Sequence, residues 1–403
     1  MTQQALDDLL ALLPIEGPPG GEEKVAAWIR ARLAGMGVAA EQMVHDRAHE
    51  QSEYGGDTGN LIVRLPGQGD GPHLLFSTHM DTVPNAVGCQ PRLVREEGRI
   101  VNDAPGKALG GDNRLGCAAL LHLARALLER KGDHPPVTLV FFVQEEVGLV
   151  GSRGLDLALL SGPLLSGPLP SGPLPTQCFN FDGGPPDELV TAVIGAERFT
   201  IDITGIAAHA GAYPADGLSA GVLAARAIAG LDGDGWHGRI VKEEGIGSAN
   251  VGILQGGQGS NVVMPALHIL AEARSHSPAF RQRIIDVWKD AFARLAEEMS
   301  NQHGQRGAVA FGPGPAYEAF ALDDDEPTVR RAMAAAQRCG FAAQTVSNDG
   351  GMDANRIVAH GIPAVTIGVG QRSVHQPAEW IDLADFERVC RLVVAIALQE
   401  SDE

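Results

Sequence analysis

Residues 137–146 read Val-Thr-Leu-Val-Phe-Phe-Val-Gln-Glu-Glu, a largely apolar run that ends in two adjacent carboxylates. Two runs of the same kind, residues 74–81 and 177–182, also end in side chains that can bind metals or protons. Short, nearly continuous apolar runs are typical of parallel strands that are buried on both faces. Amphipathic helical patterns alternate with them, as in residues 115–130. The alternation predicts an α/β fold, with a mostly parallel sheet covered by helices.

The composition is that of a large globular protein with an acidic surface. The chain has 403 residues, of which 44% are hydrophobic and 20% charged, enough for a sizeable core. Lys plus Arg number 31 against 50 Asp plus Glu, which gives a formal net charge of −19. Nucleic acids and anionic membranes are bound by basic patches, so we expect neither as a partner. The sequence also lacks an apolar run of about 18 residues, so we expect no membrane span.

The cysteines and the first twenty residues bear on the cellular compartment. The five cysteines are scattered and never form a CxxC pair, which favours reduced thiols over a disulfide framework. Residues 1–20 contain neither a basic segment nor a long apolar stretch, so we expect no signal peptide. Together these features predict a cytoplasmic protein.

The hydrophobic pattern changes at about residue 194. From there to about residue 318 it predicts the order strand, helix, strand, strand, helix, strand, with half-exposed strands. This order is typical of a ferredoxin-like α+β sandwich whose two helices cover one face of an antiparallel sheet. We therefore predict a catalytic domain in two segments, residues 1–193 and 319–403, interrupted by a smaller domain at residues 194–318.

One low-complexity segment falls within the first of these segments. Residues 161–175 repeat the motif Ser-Gly-Pro-Leu at intervals of five residues. Repeated Gly and Pro disfavour helices and central strands, so this segment is predicted to be an extended loop. An expanded surface loop is the simpler interpretation, and a loop at the rim of an active site is the alternative.

Side chains that can bind metals follow the predicted strands. They are His79 and Asp81, Glu145 and Glu146, Asp182 and His375, while Asp112 stands just before a predicted helix. The carboxyl ends of parallel strands meet at one edge of a sheet, so we expect these groups to converge. Imidazoles and carboxylates suit zinc, and also manganese or cobalt. The set is larger than a single catalytic zinc needs, which favours two metal ions sharing a carboxylate.

Each of these motifs also has an ordinary explanation when it is taken alone. A His-x-Asp at a strand end can be a hydrogen-bonded turn, and adjacent glutamates are usually solvated. Their common position at one sheet edge is what favours a site. Motifs of other enzyme classes do not occur, namely HExxH, the GxSxG elbow and the GxxxxGK[ST] phosphate loop.

The order and content of the motifs resemble those of the M20 metallopeptidases, and within them the peptidase T (tripeptide aminopeptidase) group. The matching stretches are STHMDTVP, LGGDNRLG, VQEEVGLVGS, FNFDGG, AAHAGAYP, NVGILQGG and GGMDANRIVAHGIPAVTIGVGQRSVHQP. The resemblance extends over nearly the whole chain, and it is more specific for the superfamily than for a substrate. It implies a zinc exopeptidase-like catalytic domain with an inserted lid.

The resemblance also implies roles for individual residues. His79 and Asp182 would bind one zinc ion, Glu146 and His375 the other, and Asp112 would bridge them, with a cis peptide bond following it. Glu145 would be the general base, and Asp81 would hold the imidazole of His79. In the lid, His209 would stabilise the oxyanion, across the interface of a homodimer that forms through the lid. Asn261 and Arg274 would hold the terminal carboxylate of the substrate, and Gly351 would line the same cleft.

Three functions are compatible with these residues. The first is a dizinc exopeptidase that removes the N-terminal residue from short peptides. The second is an amidohydrolase of the same superfamily that acts on N-acyl amino acids or related small amides. The third is a non-catalytic metal-binding protein, which Glu145 argues against because a purely structural site needs no spare base. Met352 stands where relatives usually have Ser, and this difference weakens any inference of tripeptide specificity.

Overall fold

The structure is a computed structural model that describes residues 3–161 and 173–398. Most of the predicted loop at 161–175 therefore lies outside the described residues. The chain divides into two compact units. The first unit comprises residues 1–192, 321–348 and 352–403, and the second comprises residues 193–320 and 349–351.

Helices and strands alternate along the chain. The helices are α1 Gln3–Leu12, α2 Glu23–Met36, α3 Gly111–Glu129, α4 Val150–Arg153, α5 Ala220–Gly233, α6 Pro278–Glu298, α7 Pro327–Arg338, α8 Asp353–Ala359 and α9 Leu383–Ala397. The strands are β1 Met43–His45, β2 Leu61–Leu65, β3 Leu74–His79, β4 Pro91–Val94, β5 Arg99–Asn102, β6 Val137–Phe142, β7 Gln177–Phe181, β8 Glu188–Val193, β9 Gly195–Thr204, β10 Gly238–Lys242, β11 Gly245–Gly256, β12 Ala266–Ser275, β13 Ala308–Tyr317, β14 Phe320–Ala321, β15 Gln344–Asn348, β16 Ala364–Ile367, β17 Gln371–Arg372 and β18 Trp380–Asp382.

The first unit is built on a mixed sheet with the strand order β1-β2-β6-β3-β7-β16-β8-β14, in which β15 also pairs with β8. Its four central strands, β6, β3, β7 and β16, are parallel to one another. Every residue of β3, β6 and β16 is buried, which is why these strands read as continuous apolar runs in the sequence. The predicted α/β fold with a mostly parallel sheet is confirmed.

Helices supply the rest of the core of the first unit. Leu120, Leu123 and Leu127 of α3 and Val389 and Val393 of α9 are all buried in the same hydrophobic cluster as the strands. Helix α3 contacts α1, α2, α9 and strand β3. This packing fixes the beginning of α3, where Asp112 lies, relative to the end of β3, where His79 lies.

A smaller antiparallel sheet with the order β17-β18-β5-β4 also belongs to the first unit, and the sequence pattern did not predict it. Its strands have two to four residues each, too few for a period-2 alternation to be recognised. Strand β18 pairs with β5 at Ile381 and Ile100. The pairing fixes the segment that follows His375.

The second unit is an antiparallel sheet with the order β10-β11-β12-β9-β13. Leaving β10 aside, this is the strand order of a ferredoxin-like sandwich, as predicted. Helices α5 and α6 pack on the sheet through a cluster that includes Trp288, Phe292 and Phe199. Ser219 and Ser277 cap these helices by accepting hydrogen bonds from backbone N–H groups of the first turn. The additional strand β10 was not predicted.

Within residues 3–161 and 173–398, the helices are too short or too polar to cross a membrane.

Candidate metal centre

The parallel strands bring four sequence-predicted residues to one edge of the sheet of the first unit. His79 is the last residue of β3, and Asp182 directly follows the end of β7. Glu145 and Glu146 follow β6 after Val143 and Gln144. All of these strands run in the same direction, so their carboxyl ends open onto the same crevice.

Asp112 reaches this edge from the beginning of α3. The preceding Gly110 adopts a left-handed conformation with φ of 77°, which a glycine accommodates without steric cost. The peptide bond between Asp112 and Asn113 is cis, as the resemblance implied. The Asn113 side chain donates to the carbonyl of Phe181 at 2.8 Å and accepts from the N–H of Gly116 at 3.0 Å. These contacts tie the beginning of α3 to the end of β7.

Two groups of potential ligands share Asp112. In the first group, Nε2 of His79 lies 3.0 Å from Oδ1 of Asp112 and 3.9 Å from Oδ2 of Asp182. In the second, Nε2 of His375 lies 3.2 Å from Oδ2 of Asp112 and 2.9 Å from Oε1 of Glu146. One carboxylate thus faces both imidazoles, one with each oxygen.

The electrostatics of the cluster favour a cation. Burial, together with the negative charge of Asp112, raises the pKa of Asp182 to about 7. Burial also raises the pKa of Glu145 and of Glu146 above their ordinary values. Acids that are held neutral in this way become ionised when a divalent cation binds among them. With two imidazole nitrogens beside them, the donor set fits two borderline metal ions such as zinc.

The carboxylates of the cluster raise the pKa of both histidines and so favour their charged form. Burial opposes the charged form of His79, but hydrogen bonds to Asp112 and Asp81 raise its pKa well above the ordinary value. Asp112 and Glu146 raise the pKa of His375 to about 10. Each imidazole is thus surrounded by carboxylates that stabilise a positive charge at its Nε2 position, where a metal ion would bind.

Asp81 holds the first histidine and both glutamates. Its backbone carbonyl lies 3.1 Å from Nδ1 of His79, and its Oδ1 lies 3.3 Å from the same nitrogen. Its two carboxylate oxygens also accept the backbone N–H groups of Glu145 and Glu146, at 3.0 and 3.1 Å. With Nδ1 engaged on the Asp81 side, Nε2 is left to face Asp112 and Asp182. The predicted contact between Asp81 and His79 is present.

The turn that precedes the glutamates is held by Glu22, which the sequence analysis did not identify. Gln144 has a left-handed backbone with φ of 53°. Its N–H donates to Oε1 of Glu22 at 2.9 Å, and its side chain donates to the carbonyl of Gly55 at 2.7 Å. Glu22 is fully buried, and burial followed by repulsion from Asp81 raises its pKa to about 8. Three consecutive N–H groups, 144 to 146, therefore donate to buried carboxyl groups.

Two more side chains at this edge escaped the sequence analysis. Gln371 directs its Nε2 toward Oδ1 of Asp112 and Oδ1 of Asp182, each at 3.4 Å. Glu379, four residues after His375, accepts from backbone N–H groups at the beginning of α3. Neither residue carries a sequence signal of these contacts.

Asp353 adds a further buried carboxyl to the first unit. It is the first residue of α8, and its side chain is 1% exposed. Burial raises its pKa to about 7. Its negative charge is one of the causes, after burial, that raise the pKa of Glu145. Met352 beside it is buried at 6% exposure, so its side chain belongs to the core.

The predicted lid residues lie in the second unit, where His209 and Asn261 are neighbours. His209 forms an isolated β-bridge with Val262, and the N–H of Ala210 donates to the carbonyl of Asn261 at 2.9 Å. Nδ1 of His209 accepts from the N–H groups of Gly211 and Ala212, at 3.2 and 3.0 Å. A neutral imidazole whose Nδ1 is an acceptor carries its hydrogen on Nε2. The exposed His209 is therefore arranged to donate from Nε2.

Arg274 and Gly351 form another local group in the second unit. Nε and Nη2 of Arg274 lie 2.9 and 3.4 Å from the two carboxylate oxygens of Glu272. Its Nη1 donates to the carbonyl of Asp349 at 3.3 Å, which holds the loop containing Gly351. A Cβ on Gly351 would lie 2.4 Å from the phenol oxygen of Tyr317. A glycine is therefore needed at this position.

Comparison with known proteins places the chain in a family. The sequence profile of peptidase family M20/M25/M40 matches residues 75–399. The uncharacterized protein YqjE of Bacillus subtilis (strain 168) is 30% identical over 394 residues, which cover 98% of this chain and 97% of that protein.

Two crystal structures are similar over almost the whole chain. Aminopeptidase PepT from Bacillus cereus ATCC 10987 has a TM-score of 0.80 at 30% identity, covering 98% of this chain and 97% of that one. A tripeptidase (SAV1512) from Staphylococcus aureus subsp. aureus Mu50 has a TM-score of 0.83 at 27% identity, with the same coverage.

Fold and site thus define a hydrolase of the peptidase class, with residues suited to bind metal ions. The chain belongs to peptidase family M20/M25/M40, since the family profile covers most of its length. The resemblance seen in the sequence is confirmed at the level of the family, and peptidase T-type enzymes are among its structural relatives.

Proposed function

We propose that this protein is a dinuclear metallo-exopeptidase that releases the N-terminal residue of short peptides. The observation that carries the proposal is the pair of ligand groups joined by Asp112, with Glu145 as a carboxyl group beyond the five ligands. The similar PepT aminopeptidase and the similar tripeptidase support the choice of short peptides.

The ligands divide between two divalent cations, with zinc the first choice and manganese or cobalt as substitutes. His79 and Asp182 would hold one cation, Glu146 and His375 would hold the other, and Asp112 belongs to both groups of candidate ligands. Such cations, when bound, would supply Lewis acidity that lowers the pKa of a bound water molecule and polarises the scissile carbonyl. Glu145 accepts the proton of that water and returns it to the departing amine. Burial raises the pKa of Glu145, which moves this carboxyl toward the range of an effective base.

His209 supplies a hydrogen bond to the oxyanion that develops on the carbonyl. Support comes from the two N–H groups that donate to Nδ1, because they leave Nε2–H as a donor. A fixed neutral donor stabilises a developing negative charge without reorganisation at the moment of reaction.

Asn261, Arg274 and Gly351 hold the carboxyl-terminal part of the peptide. Glu272 engages one side of the guanidinium group of Arg274 and thereby orients it. An oriented guanidinium is suited to recognise a planar carboxylate. Gly351 permits a close approach of the backbone, as the crowding of its Cβ position indicates.

A homodimer formed through the second unit is part of the proposal. Strand β10 pairs with β11 only as far as Ala249, so in the described residues the outer edge of positions 250–256 is left without a strand partner. Ile253 and Leu254 on this segment are 48% and 55% exposed. An apolar open edge is suited to pairing with a second copy. Light scattering of the purified protein is expected to give twice the chain mass, and a monomer at assay concentration would exclude the dimer.

The decisive experiment compares a free-amine tripeptide with an N-acetylated amino acid. Each substrate is incubated with protein that has been stripped with chelator and then reloaded with zinc, manganese or cobalt. Mass spectrometry is expected to show loss of the N-terminal residue from the tripeptide, dependent on added metal. Turnover of the acetylated compound alone would instead establish the amidohydrolase alternative.

A further inference from the structure

A buried carboxyl group, that of Glu379, connects two segments of the candidate metal centre. Glu379 is 2% exposed and stands four residues after His375. Its own N–H donates to the carbonyl of Gln376 at 3.0 Å, which closes the turn between the two residues. Burial raises its pKa. Its contacts must therefore offset the cost of burying a carboxyl group.

The Glu379 carboxylate accepts hydrogen bonds from backbone N–H groups around the beginning of α3. Oε2 of Glu379 accepts the N–H groups of Leu109 and Gly110, at 2.8 and 2.9 Å. Oε1 accepts the N–H of Asp112 at 3.2 Å. The first N–H groups of a helix have no partner within the helix, so a buried carboxylate satisfies them well.

The hydrogen bond from the N–H of Asp112 to Glu379 differs from an ordinary helix cap, because the side chain of Asp112 faces two histidines. The Asp112 carboxylate points one oxygen at His79 and the other at His375. Its backbone has non-helical torsion angles, with φ of −80° and ψ of 103°. The regular hydrogen bonds of helix α3 therefore do not by themselves determine where the Asp112 carboxylate lies.

Glycine at position 111 leaves room for the close approach of Glu379. A Cβ on Gly111 would lie 3.1 Å from Oε1 of Glu379 and 3.0 Å from Cγ1 of Ile381. Both distances are shorter than ordinary van der Waals contact, so a side chain here would displace the carboxylate.

We propose that Glu379 is a positioning residue, which sets the place of the shared ligand Asp112 by binding its backbone N–H. Through the turn from residue 376 to 379 it couples this position to the loop that bears His375. The inference rests on the proposed function in one respect, since it takes Asp112 as the ligand common to two cations. Glu379 itself touches neither a cation nor the substrate.

The substitution Glu379→Gln isolates this role. A Gln side chain keeps both bonds to Leu109 and Gly110 when its oxygen takes the place of Oε2. Its amide NH2 then faces the N–H of Asp112, so a donor meets a donor and that hydrogen bond is lost. Gly111→Ala is the second variant, because it displaces the carboxylate and leaves its charge intact.

Asp46→Asn is the matched control. Asp46 is 4% exposed, and its Oδ1 accepts the N–H groups of Ala48 and Asn60 at 3.0 and 2.9 Å. It belongs to neither ligand group. An Asn oxygen in the place of Oδ1 keeps these two bonds, but its NH2 then meets the side-chain NH2 of Asn60, which donates to Oδ2 of Asp46 at 2.7 Å. The substitution therefore removes a buried hydrogen bond from the same unit and reports the purely structural effect.

The test is a titration of the stripped protein with cobalt, followed by its visible absorption spectrum and by competition with a chelator. Wild type and D46N are expected to bind two ions per chain with the same spectrum. E379Q is expected to bind cobalt about 10–100-fold more weakly with an altered spectrum, as is usual when a partner of a ligand is removed. G111A is expected to shift both measurements in the same direction, and thermal unfolding of each variant checks that it is folded.

Two outcomes separate this inference from the proposed function. If wild type binds two cobalt ions and E379Q and G111A match D46N in affinity and spectrum, the positioning role is wrong and the metal centre stands. If wild type binds fewer than two ions, the shared-ligand arrangement fails, and the inference fails with it.

Discussion

Oδ1 of Asp81 accepts the backbone N–H of Glu145 at 3.0 Å, so the residue that holds His79 also holds the candidate base. The other oxygen of the same carboxylate accepts the N–H of Glu146 at 3.1 Å. One buried side chain therefore connects a candidate ligand at the end of β3 with the candidate base and a candidate ligand in the segment after β6.

Asp81→Asn is expected to weaken metal binding and to lower kcat. An amide can accept from one of the two N–H groups, but its NH2 repels the other, so the glutamates lose their fixed positions. A loss of about 10–100-fold in metal affinity is typical of such outer partners. Chelator competition measures it. Asp8→Asn serves as the control, because Asp8 is also buried but pairs with Arg32 and Arg125. Equal metal affinity in the two variants would contradict the role of Asp81.

Glu145→Gln is expected to lower kcat strongly without loss of metal. The change removes the proton acceptor and keeps the shape of the side chain, so kcat should fall by about 10²–10⁴-fold. Metal analysis of the dialysed variant should still find two ions per chain. Full activity on the tripeptide would show that another group accepts the proton, and loss of one ion would show that Glu145 is a ligand.

His209→Ala is expected to lower kcat by about 10²–10³-fold, since it removes one oxyanion donor. Mixing this variant with Glu145→Gln tests whether His209 acts across a dimer. A mixed dimer has one site with an intact Glu145 and the partner's intact His209, so random exchange restores roughly a quarter of wild-type activity. Each variant alone, carried through the same exchange, is the control. Activity that stays at the level of the separate variants would place His209 in the site of its own chain.

Glu22→Gln is expected to reduce the pH dependence of stability. Burial raises the pKa of Glu22 from 4.5 to about 8, so between these values the folded protein binds more protons than the unfolded chain. The free energy of unfolding therefore decreases as pH rises through this window. The Gln variant cannot ionise and should lose less stability between pH 5 and pH 8, as measured by urea unfolding in chelator. The exposed neighbour Glu23 provides the control Glu23→Gln, and parallel curves for wild type and E22Q would refute the prediction.

The convergence of the candidate ligands could be predicted because chain direction alone brings them together. His79 ends a buried strand, Glu146 and Asp182 each follow one, and parallel strands present their carboxyl ends at one edge. The apolar strand patterns and the polar residues that end them are local features of the sequence. The order of the strands in the sheet was not needed to expect the convergence.

The carboxylates that hold the backbone could not be predicted in this way. Glu379 is 267 residues from Asp112, and Glu22 is 122 residues from Gln144. Their partners are N–H groups, which every residue except proline provides, so the sequence carries no mark of the pairing. Glu22 also stands at the beginning of an amphipathic helix, where an acidic residue is ordinarily solvated.

One strand of the second unit could not be predicted from the sequence either. Its strand order follows from the predicted sequence of elements, but β10 was missed because its five residues follow a helix and a tight turn. Its inward-facing Ile240 is fully buried, while Val241 beside it is 60% exposed. The register of the β10–β11 hairpin is set only in the folded sheet. This register decides which part of β11 pairs with β10 and which part has no partner on that edge.

The first unit is discontinuous in sequence, and this has a consequence for how the protein is made. A ribosome that has translated residues 1–320 has supplied Asp112 and three other candidate ligands, but neither His375 nor Glu379. The second group of candidate ligands can therefore form only after residue 375 has been translated, long after the residues of the first group. Products truncated before residue 375 are expected to lack the paired centre.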